Sequence, residues 1–149
     1  MKISIVFPIH NECDNLENLL HEWSMGFREM RDVSYEFVIV EDGSTDGTKE
    51  LIKKLESKYN IINLSRENKR GYTKAVLDGI DASSGDYILC TDGDNQIKVE
   101  SLIDSLNYLP KDNTFLIGYR NPRKDAFNRI LYSKIFKVLH DLLFNSKLK

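Results

Sequence analysis

The chain has 149 residues, which suits a single domain at roughly 150 residues each and suffices to bury about two thirds of the unfolded surface. Its 21 Lys and Arg against 23 Asp and Glu leave a formal net charge of −2, which excludes wholesale nucleic-acid binding through a basic field. A hydrophobic content of 41% with only 3 Pro and 8 Gly excludes disordered, linker-like and collagen-like chains.

The elements follow in chain order. Ile3–Phe7 is a short apolar run, stopped by Pro8, that reads as a strand buried on both faces. Leu16, Leu19, Leu20, Trp23 and Phe27 recur at helical spacing between Asn15 and Met30, with Asn11 or Asp14 as the cap. Tyr35–Val40 is a second apolar strand, broken only by Glu36, and it runs into the turn cluster Glu41-Asp42-Gly43-Ser44. A helix from about Thr48 to Lys58 follows, capped by Asp46. Ile61–Leu64 is a third strand. Gly71 opens a helix carrying Ala75, Val76, Leu77 and Ile80, closed by Ser83-Ser84-Gly85.

Tyr87–Cys90 is a fourth strand and leads into Thr91-Asp92-Gly93-Asp94-Asn95. Leu102, Ile103, Leu106 and Leu109 mark a helix ended by Pro110, and Thr114–Ile117 is a fifth strand. Phe127 to Leu143 forms a long apolar stripe at helical period, flanked by Arg129, Lys134 and Lys137. Such a helix packs on the sheet as core or lies on an anionic membrane face, and the stripe also offers a surface for a homodimer. Strand alternating with helix predicts βαβ units, a largely parallel sheet and helices on both faces.

Cys13 and Cys90 lack CxxC spacing and read as small buried side chains in a reducing compartment. No run approaches the roughly 18 apolar residues of a membrane span, and the N-terminal run is too short for a signal peptide. The expected location is cytoplasmic, at most peripheral to the membrane.

Sheets of this kind bind ligands beyond the carboxyl ends of their strands. Those ends carry Pro8, His10, Asn11 and Glu12; then Asp42; then Arg66, Asn68, Lys69 and Arg70; then Asp92, Asp94 and Gln96. In extended chain, Asp92 and Asp94 would point the same way, a spacing that suits Mg²⁺ or Mn²⁺, with Gly93 leaving room and Gln96 adding a neutral oxygen. The alternative is an acidic Asp-Gly turn. Asp42 could accept hydrogen bonds from a base or ribose, or could form a turn with Gly43. His10 could stack on a base or stay at the rim. Lys69 and Arg70 precede a helix N-terminus, a place suited to anions, or serve solubility.

Four segments, in this order, resemble the nucleotide-binding half of family 2 glycosyltransferases. They are Ser4–Glu12, Val38–Thr48, Asn68–Gly71 with Ala75 and Gly79, and Gly85–Asp94. Asp94-Asn95-Gln96, Gly118-Tyr119-Arg120, Arg129 and Ser133-Lys134 look most like the dolichol-phosphate mannosyltransferase and polyprenyl-phosphate group. The resemblance implies a GT-A fold: a Rossmann-like, three-layer α/β/α sandwich, here a single domain over 1–149 without the acceptor-side segment. It also implies an inverting transferase that takes a UDP- or GDP-linked sugar to a polyprenyl phosphate.

Pro8, His10, Asn11, Glu12, Asp42, Asn68, Lys69, Arg70, Asp92 and Gly93 would then hold the nucleotide. Asp92, Asp94 and Gln96 would hold Mg²⁺ or Mn²⁺. Arg120 and Arg129, with Asp94, would form the catalytic set, the two arginines binding the acceptor phosphate. Two residues depart from the family pattern: Gly93 stands where Ala is frequent, and His10 where Tyr is common. The family's later acidic base has no counterpart, which mildly favours an acceptor phosphate already ionised at pH 7 over a sugar hydroxyl. The competing readings are a non-catalytic nucleotide-sugar module and a nucleotidyltransferase. The acidic, glycine-free loop after the first strand argues against the latter.

Overall fold

A computed structural model describes residues 1–106, 108, 109, 116 and 118, the helix 127–144, and the side chains of 132–143 within that helix. Two compact units divide the chain, Met1–Leu109 and Pro110–Lys149. The first holds β1 (Lys2–Ile9), α1 (Leu16–Arg28), β2 (Ser34–Asp42), α2 (Thr48–Leu55), β3 (Ile61–Arg66), α3 (Tyr72–Ala82), β4 (Tyr87–Cys90) and α4 (Val99–Leu106). The second contributes α5 (Phe127–Phe144), an 18-residue helix where the apolar spacing predicts one. Among the described residues no helix is long and apolar enough to cross a membrane. The expected fifth strand at 114–117 lies, but for Leu116, outside the described residues, as do Arg120 and the side chain of Arg129.

The four strands form one parallel sheet in the order β3-β2-β1-β4. Alternation sorts β1 and β2 between two helical layers. Ile3, Ile5, Phe7, Ile9, Phe37 and Ile39 join one buried cluster with Leu16, Leu20, Trp23 and Phe27 of α1, Ile52 and Leu55 of α2, and Val99 and Leu102 of α4. On the other face α3 lies close enough that a Cβ on Gly79 would sit 2.4 Å from Val6 and 3.1 Å from Val40. The result is the expected three-layer α/β/α arrangement. Phe7 is fully buried, with its ring 5.5 Å from Trp23, edge to face. Truncating it would cost about 3–5 kcal/mol.

β1 runs through Pro8 to Ile9 instead of stopping before it. The Thr91 N–H donates to the Val6 carbonyl, so the even-numbered residues of β1 turn their backbone polar groups toward β4. Pro8 is next in that series and lies past Cys90, the last residue of β4. Its missing N–H therefore forfeits no ladder bond. Both cysteines are free, but neither is buried: Cys13 is half-buried and Cys90 exposed. Cys90 pairs with Val6 in register, on the face where α3 packs over β1 and β2.

The amino edge of the sheet is closed by Glu36. Its buried carboxylate accepts hydrogen bonds from Ser4 Oγ at 2.6 Å and from Ser84 N at 2.9 Å, and pairs with Lys2. Gly85 N also donates to Ser4 Oγ, at 2.8 Å. Burial alone would raise the Glu36 pKa, but the Lys2, Ser4 and Ser84 donors outweigh it and lower it from 4.5 to about 2.

Candidate active site

At the carboxyl edge, the loop after β1 is stitched to the loop after β2. Asn11 adopts a left-handed conformation (φ 57°); its N–H donates to Ser44 Oγ and its Oδ1 accepts from Thr45 N, both at 2.9 Å. Glu12 N donates to Thr48 Oγ1 at 3.1 Å, and Cys13 N to Asp46 Oδ2 at 3.0 Å. The other oxygen of Asp46 accepts from Thr48 N at 3.1 Å, so Asp46 does cap α2, from one residue before the Gly47 cap position. His10 Nδ1 lies 3.0 Å from the Asp42 carbonyl. A carbonyl only accepts, so the proton sits on Nδ1.

Asp42 is not the free carboxylate that the sequence suggests. Its Oδ1 accepts from Arg66 Nη1 at 2.7 Å and from Arg70 N at 2.8 Å, and its Oδ2 accepts from Gly71 N at 2.7 Å. Burial works against its charge, but the Arg70, Arg66 and Gly71 donors hold its pKa below the usual carboxylate range. Arg66, itself only 9% exposed, also pairs with Asp78 and donates to the Lys74 carbonyl at 3.0 Å. The β3–α3 loop is further seated on Gly43 (φ 73°), where a Cβ would stand 2.7 Å from Lys69 N. The side chains of Asn68, Lys69 and Arg70 are exposed on that fixed loop.

After β4 the chain bends at Gly93–Asn95 rather than continuing extended, and Asn95 is left-handed (φ 57°). Asp94 Oδ1 accepts from Gln96 N at 3.1 Å, closing the turn. Gly93 is buried, and a Cβ there would stand 2.1 Å from Ile9 Cδ1. The glycine that departs from the family pattern thus lets the acidic loop press against the end of β1. Asp92 and Asp94 are half-buried, and Gln96 is exposed. The loop is also tied to α1, because Lys98 Nζ donates to Glu22 at 2.9 Å. Lys98, then Asn95, then Asn18 hold the Glu22 pKa down.

Among the described residues no three His, Cys, Asp or Glu side chains converge on one point. The set expected from the sequence, Asp92, Asp94 and Gln96, would offer two carboxylates and an amide oxygen, all hard ligands. That suits a cation which completes its shell with water and phosphate oxygens, as Mg²⁺ and Mn²⁺ do.

The model of the glycosyl transferase family 2 domain matches residues 4–148. The chain belongs to that family. The curated dolichol-phosphate mannosyltransferase of Pyrococcus furiosus is 32% identical over 80% of the chain and 33% of its own length. The undecaprenyl-phosphate 4-deoxy-4-formamido-L-arabinose transferase of Salmonella choleraesuis is 29% identical over 93% of the chain and 42% of its own length. The chain thus spans about a third to two fifths of these two relatives. Among solved structures, the mannosyltransferase PcManGT of Pyrobaculum calidifontis, in complex with GDP-Man and Mn²⁺, superposes with a TM-score of 0.63. It is 22% identical and covers 75% of the chain and 33% of its own. That likeness shows the fold, GT-A.

The structure also brings forward three residues outside the sequence-derived site. Arg66 lies at a strand end, but only its 24-residue reach back to Asp42 reveals its work. Glu22 on α1 holds the acidic loop. Tyr72, the first residue of α3, is 58% exposed. Burial, and then the Asp92 charge beside it, push the Tyr72 hydroxyl pKa up, so it remains a donor at neutral pH.

Proposed function

We propose that this glycosyltransferase domain binds a nucleoside-diphosphate sugar, UDP- or GDP-linked, with a divalent cation held by Asp92, Asp94 and Gln96. In the whole protein the sugar would pass to a polyprenyl phosphate at the cytoplasmic face of a membrane. The observation that carries this reading is the acidic loop at the carboxyl edge, pressed through Gly93 onto Ile9. The names of the relatives and the GDP-Man and Mn²⁺ of PcManGT support it.

Pro8, His10, Asn11 and Glu12 would line the nucleoside side. Asp42 serves by holding the backbone of Arg70 and Gly71, which presents Asn68, Lys69 and Arg70 to the ligand. A cation bound at Asp92 and Asp94 supplies electrostatic stabilisation of the diphosphate leaving group. Arg120 and Arg129 are proposed to take the acceptor phosphate, to which the arginine fork is suited. A phosphate monoester is already ionised at pH 7 and needs no base to attack.

Calorimetric titration of GDP and UDP, with and without Mn²⁺, tests the proposal. Affinity for at least one of them that requires the cation is expected. Equal affinity in its absence would overturn the site assignment.

A further inference from the structure

The loop 67–70 leaves the sheet at Arg66, the last residue of β3, and enters α3 through Gly71. Asp42 holds it at both ends. Its Oδ1 accepts from Arg66 Nη1 at 2.7 Å before the loop and from Arg70 N at 2.8 Å after it, and its Oδ2 accepts from Gly71 N at 2.7 Å. The loop therefore closes on a single carboxylate.

Arg66 is the side chain among these three donors, and its own place is set from α3. Its Nη2 pairs with Asp78 and donates to the Lys74 carbonyl at 3.0 Å, while Lys74 Nζ meets Asp78 at 2.6 Å. The planar guanidinium fork can serve two carboxylates in a fixed geometry, which a single ammonium cannot. The Arg66 side chain is 9% exposed and that of Asp42 5%, and for a pair so buried desolvation offsets much of the attraction. What the pair secures is orientation. The guanidinium sets how the Asp42 carboxylate lies, and the carboxylate sets the backbone of Arg70 and Gly71.

We infer that Arg66 is a positioning residue of the nucleotide site: it orients Asp42 so that one carboxylate closes the β3–α3 loop, and so sets where Lys69 and Arg70 meet the phosphates of the nucleotide. This rests on the proposed nucleotide site. Arg66 does not itself meet the ligand, because Nη1 and Nη2 are both engaged within the protein.

The test is calorimetry of GDP and of UDP with Mn²⁺ on the wild-type chain, Arg66→Lys, Arg66→Gln and Asp78→Asn, with urea unfolding and amide hydrogen exchange of each. Asp78→Asn loosens the same guanidinium from α3 but leaves the bonds to Asp42, so it is the structural control. All three variants should lower the unfolding midpoint. Only the two Arg66 variants should lose nucleotide affinity, about threefold to tenfold, and exchange the Arg70 and Gly71 amides faster. Arg66→Gln keeps a planar donor without the charge, and the same loss in it carries the test if Arg66→Lys does not fold. Wild-type binding matched within twofold by the folded Arg66 variants, or an equal loss in Asp78→Asn, overturns the role of Arg66 and leaves the nucleotide site standing. No Mn²⁺-dependent binding in the wild-type chain overturns both.

Discussion

The two ends of the sheet use the same chemistry for opposite purposes. At the amino edge, Glu36 is buried and takes donors from Lys2, Ser4 and Ser84, so its charge is satisfied within the protein. At the carboxyl edge, Asp92 and Asp94 stay half-exposed on a bent loop, with the Gln96 backbone N–H donating to Asp94. Between these extremes, Asp42 lies at the ligand edge yet has both oxygens occupied, and it works by holding the next loop. A carboxylate at a strand end is therefore not a ligand by position alone. What separates the cases is how many donors the protein itself supplies.

The largest effect that would break this contrast is on stability. Glu36→Gln should lower the free energy of unfolding by about 2–3 kcal/mol in urea titration while leaving nucleotide affinity unchanged. Its pH dependence has a definite sign. The folded pKa, about 2, is below the ordinary 4.5, so the stabilisation is present above pH 4.5 and is lost as pH falls toward 2. Acid titration of unfolding should show wild type converging on Glu36→Gln across that window, by about 3 kcal/mol in all. A constant gap between the two proteins would contradict it.

Asp92→Asn and Asp94→Asn should do the reverse. Each is expected to weaken cation-dependent nucleotide binding by well over tenfold, roughly 1.4 kcal/mol or more, with the thermal midpoint unchanged. A fall in midpoint comparable with that of Glu36→Gln would make these carboxylates structural as well.

Gly93→Ala sharpens the comparison at smaller scale. The new methyl would overlap Ile9 Cδ1, costing about 1–2 kcal/mol and weakening nucleotide binding severalfold. Ile9→Val in the same chain removes that carbon and should restore much of both, read by calorimetry and urea unfolding.

The layers were legible because apolar period and turn residues agree along the chain: each described helix lies within a residue or two of its periodic stripe, apart from the shorter ends of α2 and α4. Pro8 misled because its cost depends on where β4 ends, which no local window contains. At the site, the motif at Asp92–Asp94 was readable, but its geometry was not. Periodicity suggested an extended pair, whereas left-handed Asn95 and the contact of Gly93 with Ile9 set a bend. Asp42 owes its role to the crossover from β2 to β3 and α3, which brings it to Arg66, Arg70 and Gly71 from 24 to 29 residues away in sequence. Only the fold brings them together.

The most direct measurement is the anomalous scattering of Mn²⁺ in crystals of the chain grown with GDP or UDP. A peak in contact with both Asp92 and Asp94, against the nucleotide's phosphates, is the expected result. Bound nucleotide with manganese absent from those two carboxylates, or coordinated elsewhere, would contradict the account.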